Sequence, residues 1–148
     1  MRLAPVLLLS CGLLSAQGHT AAQAETLVKR AIAYARQNGM EKLIAQTNAV
    51  GGVFHVGQGS ELYLLVYDLK GVAVANGFKK ELVGTNRFDA KDVDGKFYVR
   101  EYLSVAKAKG NGWVDYKFAN PMDGKIEPKT AYVEAYDAYL FCCGIYGK

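Results

Sequence analysis

Residues 61–69 constrain the fold of this chain more than any other part of the sequence. They read ELYLLVYDL, and their aromatic and branched side chains favour a β-strand. Successive side chains of a strand point to opposite faces, so Tyr63, Leu65 and Tyr67 share one face. The opposite face carries Leu62, Leu64 and Val66. Because both faces are apolar, we expect this strand to lie in a sheet that is covered on both sides.

Apolar periodicity along the rest of the chain predicts helices and further strands. Apolar residues at helical spacing between Leu27 and Ala35 predict an amphipathic helix over residues 25–38, which ends at Asn38 and Gly39. The same spacing predicts a shorter helix over residues 40–48 and another over residues 96–109. Strands are predicted over residues 72–75, 113–118, 130–139 and 140–146. This order indicates an α+β domain, in which an antiparallel sheet of about five strands packs against segregated helices.

The N-terminus has the three parts of a secretory signal. Arg2 supplies the positive charge, residues 3–14 are mostly apolar, and Ala22-Gln23-Ala24 offers small residues for cleavage. We therefore expect a signal peptide over residues 1–24 and a secreted, periplasmic domain over residues 25–148.

Cysteines and segment lengths add two expectations about the exported chain. Leu8-Leu9-Ser10-Cys11 resembles a bacterial lipobox, which makes a lipoprotein anchored through Cys11 the alternative to simple cleavage. No later segment has the ~20 apolar residues that span a bilayer, so no transmembrane segment is expected in the mature chain. Cys142 and Cys143 are adjacent, and on a strand they would point to opposite faces as two buried apolar side chains.

Charge and the inventory of reactive side chains argue against several functions. Lys and Arg number 18 against 14 Asp and Glu without forming a basic stripe, so nucleic-acid binding is not expected. His55 is the one histidine outside the predicted leader, and neither a catalytic triad nor a His-rich metal site can be assembled around it. We therefore expect no enzyme activity, no metal and no cofactor. The enzyme alternative, a small-carboxylate lyase or hydrolase, would use Asp92 and a tyrosine as acid and base.

Aromatic residues are frequent in this chain, with 10 Tyr, 6 Phe and 1 Trp. The later predicted strands carry, among others, Trp113, Tyr116, Tyr132, Tyr136 and Tyr139. Lys129 lies at the connection before the second of these strands. Aromatic walls that exclude water strengthen the attraction between a lysine and a small organic anion, and tyrosine hydroxyls can orient such an anion. The alternative is that these rings are ordinary core and edge residues.

A series of short motifs follows a definite order along the chain. They are LYLLVYDLKG at 62–71, LVGTN at 82–86, DVDGK at 92–96, GWVDY at 112–116, NP at 120–121, KTAYV at 129–133 and GIY at 144–146. In the order and spacing of these motifs, the chain resembles the type 2 single Cache domain of bacterial sensors. The similarity extends from the first predicted helix to Tyr146.

The resemblance implies both a fold and a binding site. The implied fold is a PAS-like antiparallel sheet of about five or six strands, with a long N-terminal helix and an inserted helix. Family members sense small molecules outside the cytoplasm, commonly short carboxylates such as acetate, propionate or pyruvate. The implied ligand-binding residues are Lys129, Trp113, Tyr116, Tyr132, Tyr63 and Tyr67. Lys129 would pair with the carboxylate, and the aromatic residues would form walls and hydrogen bonds.

Two departures from the family pattern bear on the expected function. Most such domains lie between transmembrane helices, whereas this sequence ends at Lys148 with no effector. We therefore expect a sensor that acts through a separate membrane-bound kinase, chemoreceptor or transporter, with closure of residues 78–95 as the response. Ala75-Asn76-Gly77 stands where the family usually has Ala-His-Pro, which we expect to alter the pocket edge or the turn. The alternative function is an envelope protein-interaction module without a small ligand.

Overall fold

The computed structural model describes residues 18–55 and 60–147. Its helices are α1 Ala21–Asn38, α2 Met40–Asn48 and α3 Tyr98–Lys109. Its strands are β1 Leu64–Asp68, β2 Ala73–Asn76, β3 Asn111–Ala119, β4 Ile126–Tyr136 and β5 Tyr139–Tyr146. A short 3₁₀ helix, Lys80–Leu82, interrupts the connection from β2 to α3. Most of the predicted leader, including Cys11, lies outside the described residues.

The strands form one five-stranded antiparallel sheet in the order β2-β1-β5-β4-β3. β5 lies at its centre, and every residue from Leu140 to Tyr146 is buried. β2 and β3 are the edge strands, and α3 is inserted between them in the sequence. The predicted α+β fold, with a long N-terminal helix and with α3 inserted before the third strand, is confirmed.

Both faces of the sheet are covered, as the composition of residues 61–69 predicts. One buried cluster joins α1 to Leu64 and Val66 of β1. The other joins α3 to Leu65 and Tyr67, whose side chains point to the opposite face. Apolar side chains removed from water contribute roughly 25 cal/mol for each Å² buried, so the two clusters together stabilise a three-layer arrangement of helix, sheet and helix.

Helix α1 begins at Ala21, four residues before the predicted start at Glu25. Thr20 Oγ1 accepts a hydrogen bond from the Gln23 backbone N–H at 3.3 Å, and Gln23 Oε1 accepts one from the Thr20 N–H at 2.8 Å. Ala24 is fully buried against the sheet. The residues expected to guide leader cleavage therefore form the first turn of α1, and the boundary at residue 24 stays a prediction. Among the described residues, no helix combines the length and the apolar composition that a membrane crossing requires.

The turn between β4 and β5 comes earlier in the sequence than predicted, because the two strands were expected to meet between residues 139 and 140. β4 runs from Ile126 to Tyr136, and the turn is at Asp137, whose φ of 54° is in the left-handed region that aspartate tolerates. Lys129 therefore lies within β4 and not at the connection before it. Its position relative to the sheet is set by pairing with Tyr116 of β3 and Tyr146 of β5.

Candidate ligand site

A narrow cavity lies between the sheet and the segment that joins β2 to α3, which we call the covering segment (residues 77–97). The sheet side of the cavity is lined by Tyr63, Leu65, Tyr67, Asn76, Tyr116, Phe118 and Lys129. The opposite side is lined by Lys79, Leu82, Arg87 and Tyr98. The cavity has a free volume of about 10 Å³, which is close to the space that one water molecule needs.

Lys129 is the most deeply buried charged side chain of this cavity, with 2% of its surface exposed. Its Nζ donates a hydrogen bond to the Tyr63 hydroxyl at 3.0 Å. Four aromatic rings surround the same atom, with their centroids 4.6 Å (Tyr63), 5.0 Å (Tyr146), 5.4 Å (Phe118) and 5.7 Å (Tyr116) away. An ammonium group near ring faces is attracted to their negative charge, so this aromatic cage partly replaces the water that Lys129 loses on folding.

No carboxylate balances the charge of Lys129 within the described part of the chain. The ion pairs found there involve other basic residues, namely Lys29, Lys96, Arg100 and Lys117. No acidic side chain lines the cavity either. A buried charge is costly unless it is paired and hydrogen-bonded. The site is therefore electrostatically suited to accept an anion.

Buried tyrosine hydroxyls extend the polar surface of the site. The hydroxyls of Tyr63 and Tyr146 lie 3.3 Å apart, and Tyr102 donates a short hydrogen bond to the hydroxyl of Tyr116. Burial raises the pKa of Tyr67, Tyr102 and Tyr116 well above the ordinary tyrosine value. These phenols therefore stay protonated at neutral pH. Tyr67 and Tyr116, which line the cavity, can each donate a hydrogen bond to an anion without adding negative charge.

The covering segment contributes two further basic residues. Arg87 Nη2 donates to the Tyr98 hydroxyl at 2.9 Å. Lys79 Nζ lies 5.5 Å from the centroid of the Phe118 ring. The segment leaves β2 through a turn held by Asn76, whose Oδ1 accepts the backbone N–H groups of Phe78 and Lys79 at 3.0 and 2.7 Å. Asn76 thus anchors the start of the segment that covers the cavity.

The chain matches the family described as Single Cache domain 2 over residues 16–145. It belongs to this family. Cache domains are sensory, ligand-binding modules of signal-transduction proteins.

Solved structures with the same fold come from chemotaxis proteins. The periplasmic sensor domain of a chemotaxis protein is 24% identical, with a TM-score of 0.66, 86% of this chain covered and 90% of that chain. A Cache chemosensory domain, described for its carboxylic acid recognition, is 20% identical, with a TM-score of 0.65. The match covers 86% of this chain and 88% of that chain. A methyl-accepting chemotaxis protein from Vibrio parahaemolyticus RIMD 2210633 is 17% identical, with a TM-score of 0.71. The match covers 84% of this chain and 86% of that chain. At these identities the likeness establishes the shared fold.

Four of the predicted ligand-binding residues meet in the cavity of this Cache domain. Tyr67 lines it from β1, and Tyr63 lines it from the position just before β1. Tyr116 reaches it from β3 and Lys129 from β4. The sequence had left open which face of the first strand would meet the pocket. The structure shows that it is the face of Tyr63, Leu65 and Tyr67, because the opposite face packs against α1.

Trp113 and Tyr132 do not line this cavity, which corrects their expected place in its wall. They are paired across β3 and β4 with ring centroids 5.2 Å apart, and they lie on the face of the sheet that carries α1. The physical reason is strand alternation. Trp113 is three residues from Tyr116 and Tyr132 is three residues from Lys129, so each pair points to opposite faces. The Tyr132 hydroxyl instead donates to Glu134 Oε2 at 2.7 Å.

Lys79, Arg87 and Tyr98 were missed as site residues by the sequence analysis. Lys79 and Arg87 lie in a loop without periodicity, where no local pattern shows which side chains turn inward. Tyr98 was expected only as an apolar position of the inserted helix. The DVDGK motif, which lies later in the same segment, was the available signal that this loop is structurally organised.

The adjacent cysteines and the remaining acidic residues do not build a second site in the described structure. Cys142 and Cys143 are both free and buried, and they belong to the clusters on opposite faces of the sheet. Burial raises the pKa of the Cys143 thiol to about 12 and that of Cys142 well above its ordinary value. Within residues 18–55 and 60–147, no group of three or more His, Cys, Asp or Glu side chains could hold a metal ion.

Proposed function

We propose that this Cache domain binds a short carboxylate outside the cytoplasm and that a separate membrane protein reads the bound state. The observation that carries this proposal is Lys129, a buried cation for which the described residues supply no carboxylate partner. A cavity lined by basic groups, neutral phenols and rings has the chemistry of an organic-anion site. The predicted secretory leader is what supports a location outside the cytoplasm.

A carboxylate in this cavity would gain from several groups at once. Lys129 would form a charge-assisted hydrogen bond with it, a bond about twice as strong as one between neutral groups. The Tyr63 hydroxyl, now the acceptor for Lys129 Nζ, could turn to donate to the second carboxylate oxygen. The surrounding rings exclude water and thereby lower the local dielectric constant, which strengthens the attraction between the two charges.

Binding in this cavity requires the covering segment to move. A free volume of about 10 Å³ does not hold even a two-carbon carboxylate, so the side chains of residues 77–97 must shift to admit one. A ligand that binds one position of this segment better than another changes the populations of the two. A membrane-bound kinase, chemoreceptor or transporter that contacts the segment could read that change.

Thermal unfolding with and without ligand tests the proposal. Acetate, propionate and pyruvate are added to wild-type protein, to Lys129→Met, which keeps most of the buried stem, and to Lys42→Met as an exposed-lysine control on α2. A ligand at about 100 times its Kd stabilises by ~2.7 kcal/mol, a shift of several degrees for a domain of this size. We expect the shift in wild type and Lys42→Met and its loss in Lys129→Met. A shift of equal size in Lys129→Met would contradict the role of Lys129.

The small size of the cavity favours one other function, that of an envelope protein-interaction module whose pocket is filled by its own side chains. In that case Lys129 serves only the interior, held by Tyr63 and the aromatic cage. The same thermal experiment separates the two functions. Cooperative unfolding with no shift for any small anion would favour the interaction module and contradict the binding of a carboxylate.

A further inference from the structure

We propose that Arg87 and Lys129 bind the two acidic ends of a short dicarboxylate, so that this cavity prefers a dianion to a monocarboxylate. The inference rests on the proposed function, since it specifies the ligand class of the same site. It comes from residues of the covering segment, which join the cavity only in the folded structure.

The first observation is the charge of the cavity. Lys79, Arg87 and Lys129 all line it, and none of the three forms an ion pair with another described residue. The lining has no acidic side chain. A monocarboxylate would compensate one of three positive charges, whereas a dicarboxylate would compensate two. Closure of the covering segment over the ligand makes this difference larger, because charges that lose water interact more strongly.

The second observation is that Arg87 and Lys129 reach the cavity from opposite sides, Arg87 from the covering segment and Lys129 from the sheet. Lys129 Nζ contacts Tyr63, and Arg87 contacts the Tyr98 hydroxyl. The positive charge of Arg87 also partly offsets the rise in the pKa of Tyr67. A ligand held between the sheet and the covering segment would therefore meet one cation on each side.

Lys79 and Lys129 lie near the same aromatic ring of the cavity. Lys79 Nζ and Lys129 Nζ lie 5.5 and 5.4 Å from the centroid of the same ring, that of Phe118. Lys79 therefore adds positive charge near Lys129 and does not form a third subsite. The ammonium group of Lys129 on the sheet side and the guanidinium of Arg87 on the covering segment match a ligand with two acidic groups.

Arg87 has the right chemistry for the second acidic group. Its planar guanidinium can bind both oxygens of a carboxylate at once. Its partner in the described structure is the Tyr98 hydroxyl, which a carboxylate can replace as the acceptor. Because Arg87 lies on the covering segment, its bond to the second carboxylate would hold that segment against the ligand. The same contact would thus supply both specificity and closure.

Isothermal titration with three matched compounds tests the assignment: propionate, succinate and succinamate. Succinate is propionate with a second carboxylate, and succinamate replaces that carboxylate with a neutral amide of similar shape. Wild-type protein is compared with Arg87→Gln, with Arg87→Lys and with Arg36→Gln, a control for net charge on the exposed side of α1. We expect wild type and Arg36→Gln to bind succinate about tenfold more tightly than propionate or succinamate.

Arg87→Gln should lose about tenfold in succinate affinity and change propionate affinity by less than about twofold. Arg87→Lys, which keeps the charge without the planar fork, should fall between wild type and Arg87→Gln. Equal binding of propionate and succinate by wild type, or an equal loss of both in Arg87→Gln, would overturn the dicarboxylate assignment and leave the proposed function standing. Binding of none of the three compounds would overturn both.

Discussion

Gly144 lies directly against the side chain of Lys129. A Cβ atom on Gly144 would be 2.3 Å from Lys129 Cε and 3.1 Å from Lys129 Cγ. Gly144 pairs with Ala131 on the neighbouring strand, two residues from Lys129 and on the same face of β4. The missing side chain at Gly144 therefore creates the space through which the lysine stem reaches the aromatic cage.

Gly144→Ala should displace the Lys129 stem and remove the carboxylate response of the protein. Overpacking of a buried site costs typically 1–3 kcal/mol, so we expect the free energy of unfolding to fall by about 2 kcal/mol. The contact is isolated by a double-mutant cycle with Lys129→Ala, measured by chemical denaturation. In the Lys129→Ala background Gly144→Ala should cost at least about 1 kcal/mol less. Additive effects of the two substitutions would show that Gly144 does not act through Lys129.

Lys129→Met should make the ligand-free protein more stable. The substitution removes a buried charge that has no carboxylate partner among the described residues, and the Tyr63 hydroxyl keeps its contact with Tyr146. Replacing buried charged groups by apolar ones of similar volume often stabilises a protein, so we expect an increase of about 1 kcal/mol in the free energy of unfolding. Lys42→Met, on the exposed side of α2, is the control and should change stability by less than about 0.5 kcal/mol. A clear loss of stability in Lys129→Met would mean that the aromatic cage outweighs the cost of burying the ammonium group.

Thr20→Ala should lower stability by about 1 kcal/mol, because it removes the side-chain acceptor that caps α1. Thr26→Ala is the matched control, since Thr26 is exposed within the same helix and makes no cap.

The same reasoning applies to the leader boundary. A protein that starts at Glu25 lacks the capping box and buried Ala24, and it should melt at a lower temperature than one that starts at Gly18. Equal melting temperatures would show that the capping box and Ala24 are not needed for stability, and the fold would then be compatible with cleavage after Ala24.

Asp92→Asn should weaken the fold at neutral pH and have a smaller effect in acid. Asp92 accepts backbone N–H groups from Lys117, Lys96 and Asp94, and these bonds lower its pKa below the ordinary 3.8. A carboxyl group with a lowered folded pKa contributes stability that is fully present above its unfolded pKa and is lost as the pH falls through the folded value. Urea denaturation at pH 7 and between pH 4 and pH 2 measures this difference. Asp137→Asn is the control, because asparagine also tolerates the left-handed backbone at that exposed turn. A stability difference between wild type and Asp92→Asn that does not shrink in acid would contradict this role for the Asp92 carboxylate.

The strands that carry the predicted site residues differ in how well the sequence defines them. Residues 62–67 are apolar without a break, so the period of two along a strand assigns their side chains to its two faces from the sequence alone. The strand of Lys129 was predicted to begin at residue 130, four residues after its start at Ile126, which left the lysine outside the alternation. Once Lys129 lies within β4, the same rule places it opposite to Tyr132. For Tyr132 the difference thus came from a strand boundary, whereas for Trp113 the alternation within the predicted strand 113–118 already separates it from Tyr116.

By itself the sequence determined the elements, the two-sided sheet and the family motifs. These depend on the spacing of side chains along a short stretch of chain, and such spacing is read directly from neighbouring residues. Only the tertiary structure decided which cations share the cavity with Lys129, because Lys79 and Arg87 reach it from an irregular segment. It also decided that Gly144 opens the path of the lysine stem, since that contact joins residues of two strands whose register is set by long-range pairing.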